Sequence, residues 1–320
     1  MEQQVLDAGK RYLRCELKQT QSRTKVYKCL DQEESIEAEW YEISLEGIAP
    51  EKLTRMQNSL IAYSGIKNAH LLQIFRAWVD SDRNTLIFIK ELFSNKTLRT
   101  YIKEVSQIPA KACAQWCAQI MSGLTALHAL NPPIIHNNIS CDTIYIDASV
   151  GAVKLDTPSF ESILFDWIQP TAALEAQQKI STPKSDVWSL GLAVIEISTG
   201  VIPYSDKTNP HDNILKGELP TALGQISDPS IADFATTCLL SFEQRPCVNQ
   251  LYEYALISEN YEPPKDQPVS SELEILDKKQ KEEYQKLLAR HEQERRALRE
   301  KIKARKRKTP SMRDLLKELQ

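Results

Sequence analysis

The stretch Ile134-Ile135-His136-Asn137-Asn138-Ile139-Ser140-Cys141-Asp142-Thr143-Ile144-Tyr145-Ile146 constrains this chain more than any other. It sets two branched residues before a histidine, two small polar residues and one apolar residue, and then four polar or small residues before Ile-Tyr-Ile. Further stretches follow in order: Val153-Lys154-Leu155-Asp156-Thr157-Pro158-Ser159-Phe160, Ala173-Leu174-Glu175, Ser185-Asp186-Val187-Trp188-Ser189-Leu190-Gly191 and Arg245-Pro246. Each is weak alone, and their joint order carries the information.

The chain has 320 residues, 42% of them hydrophobic, enough for one large or two ordinary domains with a real core. Its seven cysteines include no C-x-x-C pair, Met1 is followed by Glu-Gln-Gln, and no run of 18 apolar residues occurs. A soluble protein in a reducing compartment is expected, cytoplasmic, with nuclear or endomembrane association as further options. Cys113 and Cys117 read as core residues, because no His or Asp pair completes a metal set around them.

Residues 1–93 read as a mostly β lobe. Segments 26–30, 36–43 and 85–89 have the β-branched and aromatic content of strands, and a helix-like segment, 50–63, falls between the second and third. Residues 94–262 read as helical, with helices over 97–105 and 109–130; the second carries Ala112, Trp116, Ile120, Leu124 and Leu127 on one stripe.

This order resembles the bilobal protein kinase fold, an α+β architecture, over residues 10–262. The stretch around His136 resembles the kinase catalytic loop H-R-D-L-x-x-x-x-N, but Asn138 stands at the position of the proton-accepting Asp and Thr143 at that of the metal-binding Asn. Thr157 takes the place of the Asp of D-F-G, Tyr41 that of the V-A-I-K lysine, and Ser59 that of the helix glutamate paired with that lysine. Between Gly9 and Gly47 there is no glycine, so the phosphate loop G-x-G-x-x-G has no counterpart in Thr20-Gln21-Ser22-Arg23-Thr24-Lys25-Val26-Tyr27. The resemblance implies structural roles for Glu175 and Arg245, as a buried ion pair, and for Asp186, as the brace of the catalytic loop.

Val26-Tyr27-Lys28-Cys29-Leu30-Asp31 with Glu37-Ala38-Glu39-Trp40-Tyr41-Glu42-Ile43 narrows the resemblance to the with-no-lysine kinases and the nuclear receptor-binding proteins. Pro132-Pro133-Ile134-Ile135-His136 is similar to the second group. That resemblance implies a pseudokinase without enzymatic activity, acting as an adaptor or scaffold in signalling or vesicle traffic, with no cofactor, neither ATP nor magnesium. One alternative is a divergent active serine/threonine kinase using Lys25, Asp142 and Asp156, although Asp156, one residue early, is expected to face away from a metal. Another is an ATP-binding, magnesium-independent switch. In the nucleotide pocket, formed by Glu39, Tyr41, Lys90, Glu91 and Phe93, a carboxylate and an ammonium from Glu39 and Lys90 are expected to pair where adenine would sit. The segment 157–175 carries Ser162 and Thr171, but with Asn137 in place of the arginine that would receive a phosphate no activation by phosphorylation is expected.

Residues 263–320 differ in kind. They hold 17 Lys+Arg against 11 Asp+Glu, hence +6, which within a whole-chain charge of −3 leaves −9 on residues 1–262. A linker over 263–270 is expected to lead into a basic helical tail, 271–320, with Tyr284, Leu287, His291, Glu294 and Leu298 on a coiled-coil-like seam that is half polar. Protein partners are expected on the helical lobe and on this tail, and the run 303–308 suits nucleic acid or acidic membrane.

Overall fold

Alternating burial along the strands builds the first half of the molecule. The computed structural model describes residues 5–7, 9–93, 96–105, 107–166 and 168–261. The strands are β1 (Val5–Leu6), β2 (Tyr12–Gln21), β3 (Thr24–Asp31), β4 (Ile36–Ser44), β5 (Ile74–Asp80) and β6 (Thr85–Glu91), with α1 (Pro50–Ser64) between β4 and β5. They form one antiparallel sheet in the order β1-β2-β3-β4-β6-β5. Successive side chains on a strand point to opposite faces, so β4 and β6 feed two cores. Ala38, Trp40, Ile87 and Ile89 join Tyr12, Tyr27 and Cys29 on one face. On the other, Ile43, Leu86 and Phe88 meet Met56, Leu60 and Tyr63 of α1 in the main core.

That second face is a ladder of cross-strand rungs: Ile43 opposite Leu86, Tyr41 opposite Phe88, and Glu39 opposite Lys90. The first rung is aliphatic and the second stacks two rings with centroids 4.8 Å apart. The third is ionic, at the end of an otherwise apolar stripe.

The second half is helical: α2 (Leu98–Glu104), α3 (Ala110–His128), a hairpin of β7 (Ile144–Asp147) and β8 (Ala152–Leu155), then α4 (Phe160–Phe165), α5 (Leu174–Gln177), α6 (Pro183–Thr199), α7 (Pro210–Leu215), α8 (Pro229–Cys238) and α9 (Ala255–Asn260). Helix α6 is buried on nearly every side, which explains its apolar circumference. Gly191 lets it approach α8, because a Cβ there would lie 2.6 Å from Cys238 Cβ. Two backbone hydrogen bonds, Leu72 N–H to Leu155 O and Leu155 N–H to His70 O, both 2.9 Å, tie the segment after α1 to β8.

The helix expected over 50–63 is α1. Strands β2 and β5 lie outside the sequence expectation: β2 is mostly exposed and rich in charged and polar residues, and the apolar residues of β5 fall in runs rather than alternating with polar ones. Helix α2 starts one residue after Thr97, whose side chain accepts a hydrogen bond from Thr100 N–H as an N-cap, and α3 ends at His128 rather than Leu130. Trp116, Cys113 and Cys117 are buried in the core of α3. No helix among the described residues is long and apolar enough to cross a membrane. The chain divides into two units, Met1–Tyr261 and Glu262–Gln320. The second, with the expected linker, helical tail and basic run, lies outside the described residues.

Candidate active site

The loop after Ile134 is held from below by one carboxylate. Asp186, fully buried on α6, accepts the N–H of His136 at Oδ2 (2.8 Å) and that of Asn137 at Oδ1 (2.9 Å), and its Oδ2 also lies 2.8 Å from His128 Nε2. Three donors on one carboxylate satisfy a charge that would be costly without partners. Asn137 sits at φ 58°, a left-handed conformation that asparagine tolerates. His136 Nε2–H donates to the Asp156 carbonyl (2.8 Å), while its Nδ1 accepts the Asn138 N–H (3.3 Å). Burial holds the imidazole pKa below its usual range, despite the Asp186 and Asp156 charges.

Above this loop stands the ionic rung. Lys90 Nζ lies 2.9 Å from Asp156 Oδ1 and 3.4 Å from Glu39 Oε2, and 4.6 Å from the centroid of the Tyr41 ring. Its side chain is 2% exposed. Burial alone would push the ammonium toward its neutral form, but Asp156, Tyr41 and Glu39 together raise its pKa well above the usual lysine value. Glu39 also accepts from the Tyr41 hydroxyl (3.1 Å) and Lys18 Nζ (2.8 Å). Burial pushes its carboxyl up, and Lys90, Lys18 and Tyr41 outweigh that and hold it below the ordinary value. Lys18, Glu39, Lys90 and Asp156 thus alternate in sign from the sheet to the residue after β8.

Two of these four, Lys18 and Asp156, stand outside the expected nucleotide pocket. Asp156 was expected to face away from the cleft, and it faces inward: β8 ends at Leu155, so strand alternation no longer applies one residue later. Lys18 reaches Glu39 from a bulge, since Leu17 pairs with Tyr27 and Gln19 with Val26, leaving Lys18 as the extra residue. Its signal in the sequence was slight, a lysine in a strand too polar to be recognised.

The other positions lie elsewhere. Lys25 is exposed, and Asp142 is exposed and salt-bridged to Arg99, so of the alternative set only Asp156 enters the site. Thr143 Oγ1 turns onto its own loop, donating to Asn138 O (2.6 Å) or Ser140 O (3.1 Å). Asn138 Oδ1 accepts from Gln169 Nε2 (2.6 Å). The Thr157 N–H donates to Asp156 Oδ1 (2.6 Å). Ser59 lies on α1 along a cavity of about 940 Å³ outside the charge cluster. Glu91 bonds Lys154 Nζ (2.6 Å), which lies 5.0 Å from the Phe93 ring centroid, so neither reaches Lys90. The counterpart of the phosphate loop is a tight hairpin, Gln21 paired with Thr24, whose Arg23 rests over Phe165 of α4 at 5.3 Å. Glu175 Oε1 and Arg245 Nη1 are 2.5 Å apart.

A family model described as protein tyrosine and serine/threonine kinase matches residues 23–254. The serine/threonine-protein kinase WNK8 of Arabidopsis thaliana is 30% identical over 241 residues, 71% of this chain and 42% of the relative. The Probable serine/threonine-protein kinase WNK10 of the same plant is 29% identical over 248 residues, 73% of this chain and 47% of the relative. The chain therefore spans less than half the length of either relative. These matches overturn the expectation of a chain that is no enzyme and takes no cofactor, because the family and both relatives are kinases by name. The motif positions Tyr41, Ser59, Asn138, Thr143 and Thr157 are substituted, yet a cation and a carboxylate, Lys90 and Asp156, meet in the same cleft from other positions. With the family model covering both the sheet and the helical part, the chain belongs to the protein tyrosine and serine/threonine kinase family.

Proposed function

We propose that this chain is a divergent serine/threonine protein kinase that uses ATP with a divalent cation. One observation supports this reading above others, the charge-balanced set Lys18, Glu39, Lys90 and Asp156 between the sheet and the β7–β8 hairpin. Its donors suit a metal-bound triphosphate: Asp156 offers a carboxylate to a cation, and Lys90 an ammonium to a phosphate. ATP, when bound, supplies the phosphoryl group. The chain's part is to orient the acceptor hydroxyl and stabilise charge, which dominates catalysis where the transition state is largely dissociative. Asn138 cannot take a proton as a carboxylate does, but its amide can hold a hydroxyl in place. Slow transfer is the expected outcome. The names of both plant relatives support serine or threonine as acceptor.

The test is incorporation of labelled phosphate from ATP, with magnesium or manganese, into a generic serine- and threonine-containing protein. Transfer by the wild type above the level of Asp156→Asn supports the reading, and equal levels reject it. A second reading, an adaptor role in addition to phosphoryl transfer, is favoured by Asn138 and Thr143, whose side chains bond Gln169 and the loop itself. Partner capture that persists in Asp156→Asn separates that role from phosphoryl transfer.

A further inference from the structure

A buried ionic rung needs a reason. Replacing a buried ion pair with well-packed apolar residues is often neutral or stabilising, and the two rungs beside Glu39 and Lys90 are apolar: Tyr41 stacks on Phe88, and Ile43 faces Leu86. An aliphatic residue at 90 would continue the stripe of Leu86 and Phe88 into the main core. Instead β6 carries, one residue before its end, a fully buried ammonium stabilised by two carboxylates and the Tyr41 ring.

None of the other ammonium groups near the cleft pairs with Asp156 among the described residues. Lys18 approaches Glu39 from the outer side and is 39% exposed, Lys28 bridges Glu37, and Lys154 bridges Glu91. Lys25 is exposed. The helix α1 that packs under the sheet contributes Met56, Leu60 and Tyr63 to this face, none of them charged. Among the described residues, Lys90 is thus the cation in direct ionic contact with Asp156.

Resting on the kinase reading above, we infer that Lys90 is the phosphate-binding lysine of this protein, delivered from β6 in place of a lysine at position 41 of β4. Its ammonium lies 4.6 Å from the centre of the Tyr41 ring, within the space that a lysine side chain at residue 41 would itself reach. Without nucleotide, Asp156 and Glu39 hold the ammonium in place as internal anions. Lys90 would hold a phosphate oxygen of the nucleotide and Asp156 its divalent cation, while Glu39 keeps its bonds from Lys18 and the Tyr41 hydroxyl. Every charge is paired before and after, so the swap leaves no buried ion bare. The same pairing competes with nucleotide, and affinity for ATP is lowered by the fraction of molecules in which Lys90 is still bound to Asp156.

The experiment is calorimetric titration of the full chain with ATP and, separately, with adenosine, both with magnesium. Lys90→Met should weaken ATP binding by roughly tenfold or more, the loss of a charge-assisted hydrogen bond, and leave adenosine affinity unchanged. Because Lys90→Met strands two carboxylates and can unfold the chain, two further variants are included. Lys90→Arg should retain ATP binding, and Lys90→Met combined with Tyr41→Lys should fold and recover it, since the cation is returned from the neighbouring strand. Wild-type binding of ATP with equal affinity in the Lys90→Met protein would overturn the assignment and leave the kinase reading standing. A folded double variant that binds ATP no better than Lys90→Met would also overturn it. No ATP binding by the wild type overturns both readings.

Discussion

Arg245 Nη1 lies 2.5 Å from Glu175 Oε1, joining the start of α5 to the segment after α8 with both side chains nearly out of water. The arginine also donates to Lys184 O (2.9 Å) and Leu240 O (3.2 Å) and lies over the Trp188 ring, and Glu175 accepts from the Ser185 hydroxyl (3.1 Å). Removing one partner leaves the other charge buried and bare. Arg245→Ala should therefore destabilise the protein by about 3–5 kcal/mol in denaturant unfolding. The double variant with Glu175→Ala should lose less than the sum of the two single losses. Strict additivity would show that the pair does not act as a unit.

Asp186 offers a sharper case, because its two oxygens serve three donors. In Asp186→Asn, either orientation of the amide turns an NH2 group toward at least one backbone N–H. A cost of about 2–4 kcal/mol is expected from the lost charged acceptor and the donor left facing a donor. Hydrogen exchange should report the amides of His136 and Asn137 as the ones that lose protection. Unchanged exchange at those two amides would contradict the brace.

Gly191 is set by packing alone, being in a helix without a positive φ. An added methyl would meet Cys238 Cβ at 2.6 Å and Ala235 O at 3.3 Å, and neither can swing aside. Gly191→Ala gains helix propensity of about 1 kcal/mol but should still lose about 1–3 kcal/mol overall, by separating α6 from α8. Coupling Gly191→Ala to Cys238→Gly should recover part of the loss. A stabilised single variant is the outcome that contradicts this packing.

The pH dependence of folding follows from His136. Its pKa is depressed by burial, and its hydrogen bonds already use Nε2 as donor and Nδ1 as acceptor, so the protonated ring would face the Asn138 N–H with a second donor. Below about pH 6.5 the unfolded chain takes up a proton that the folded chain refuses, and stability falls as pH drops. His70, also depressed by burial, adds to the slope with the same sign. Unfolding free energy measured from about pH 7 to about pH 5 should decline, and less steeply in His136→Gln. A flat profile in the wild type would exclude this linkage.

The sequence by itself determined which residues stand where along the chain, and with them the fold. The order of the stretches around His136, Asp186 and Arg245 specifies one arrangement of sheet and helices, and strand alternation alone puts Glu39 and Tyr41 on one face. Strand β2 was invisible because its exposed polar residues carry no hydrophobic period, and β5 because its apolar residues run together instead of alternating. Tertiary structure decided the chemistry of the cleft. The direction of Asp156 depends on β8 stopping one residue earlier, and the reach of Lys18 depends on a bulge in the β2–β3 register, neither of which local sequence encodes. Whether the isolated charges at residues 39, 90 and 156 are separate liabilities or one paired cluster depends on distances set by chain segments more than 50 residues apart, and only packing brings those together.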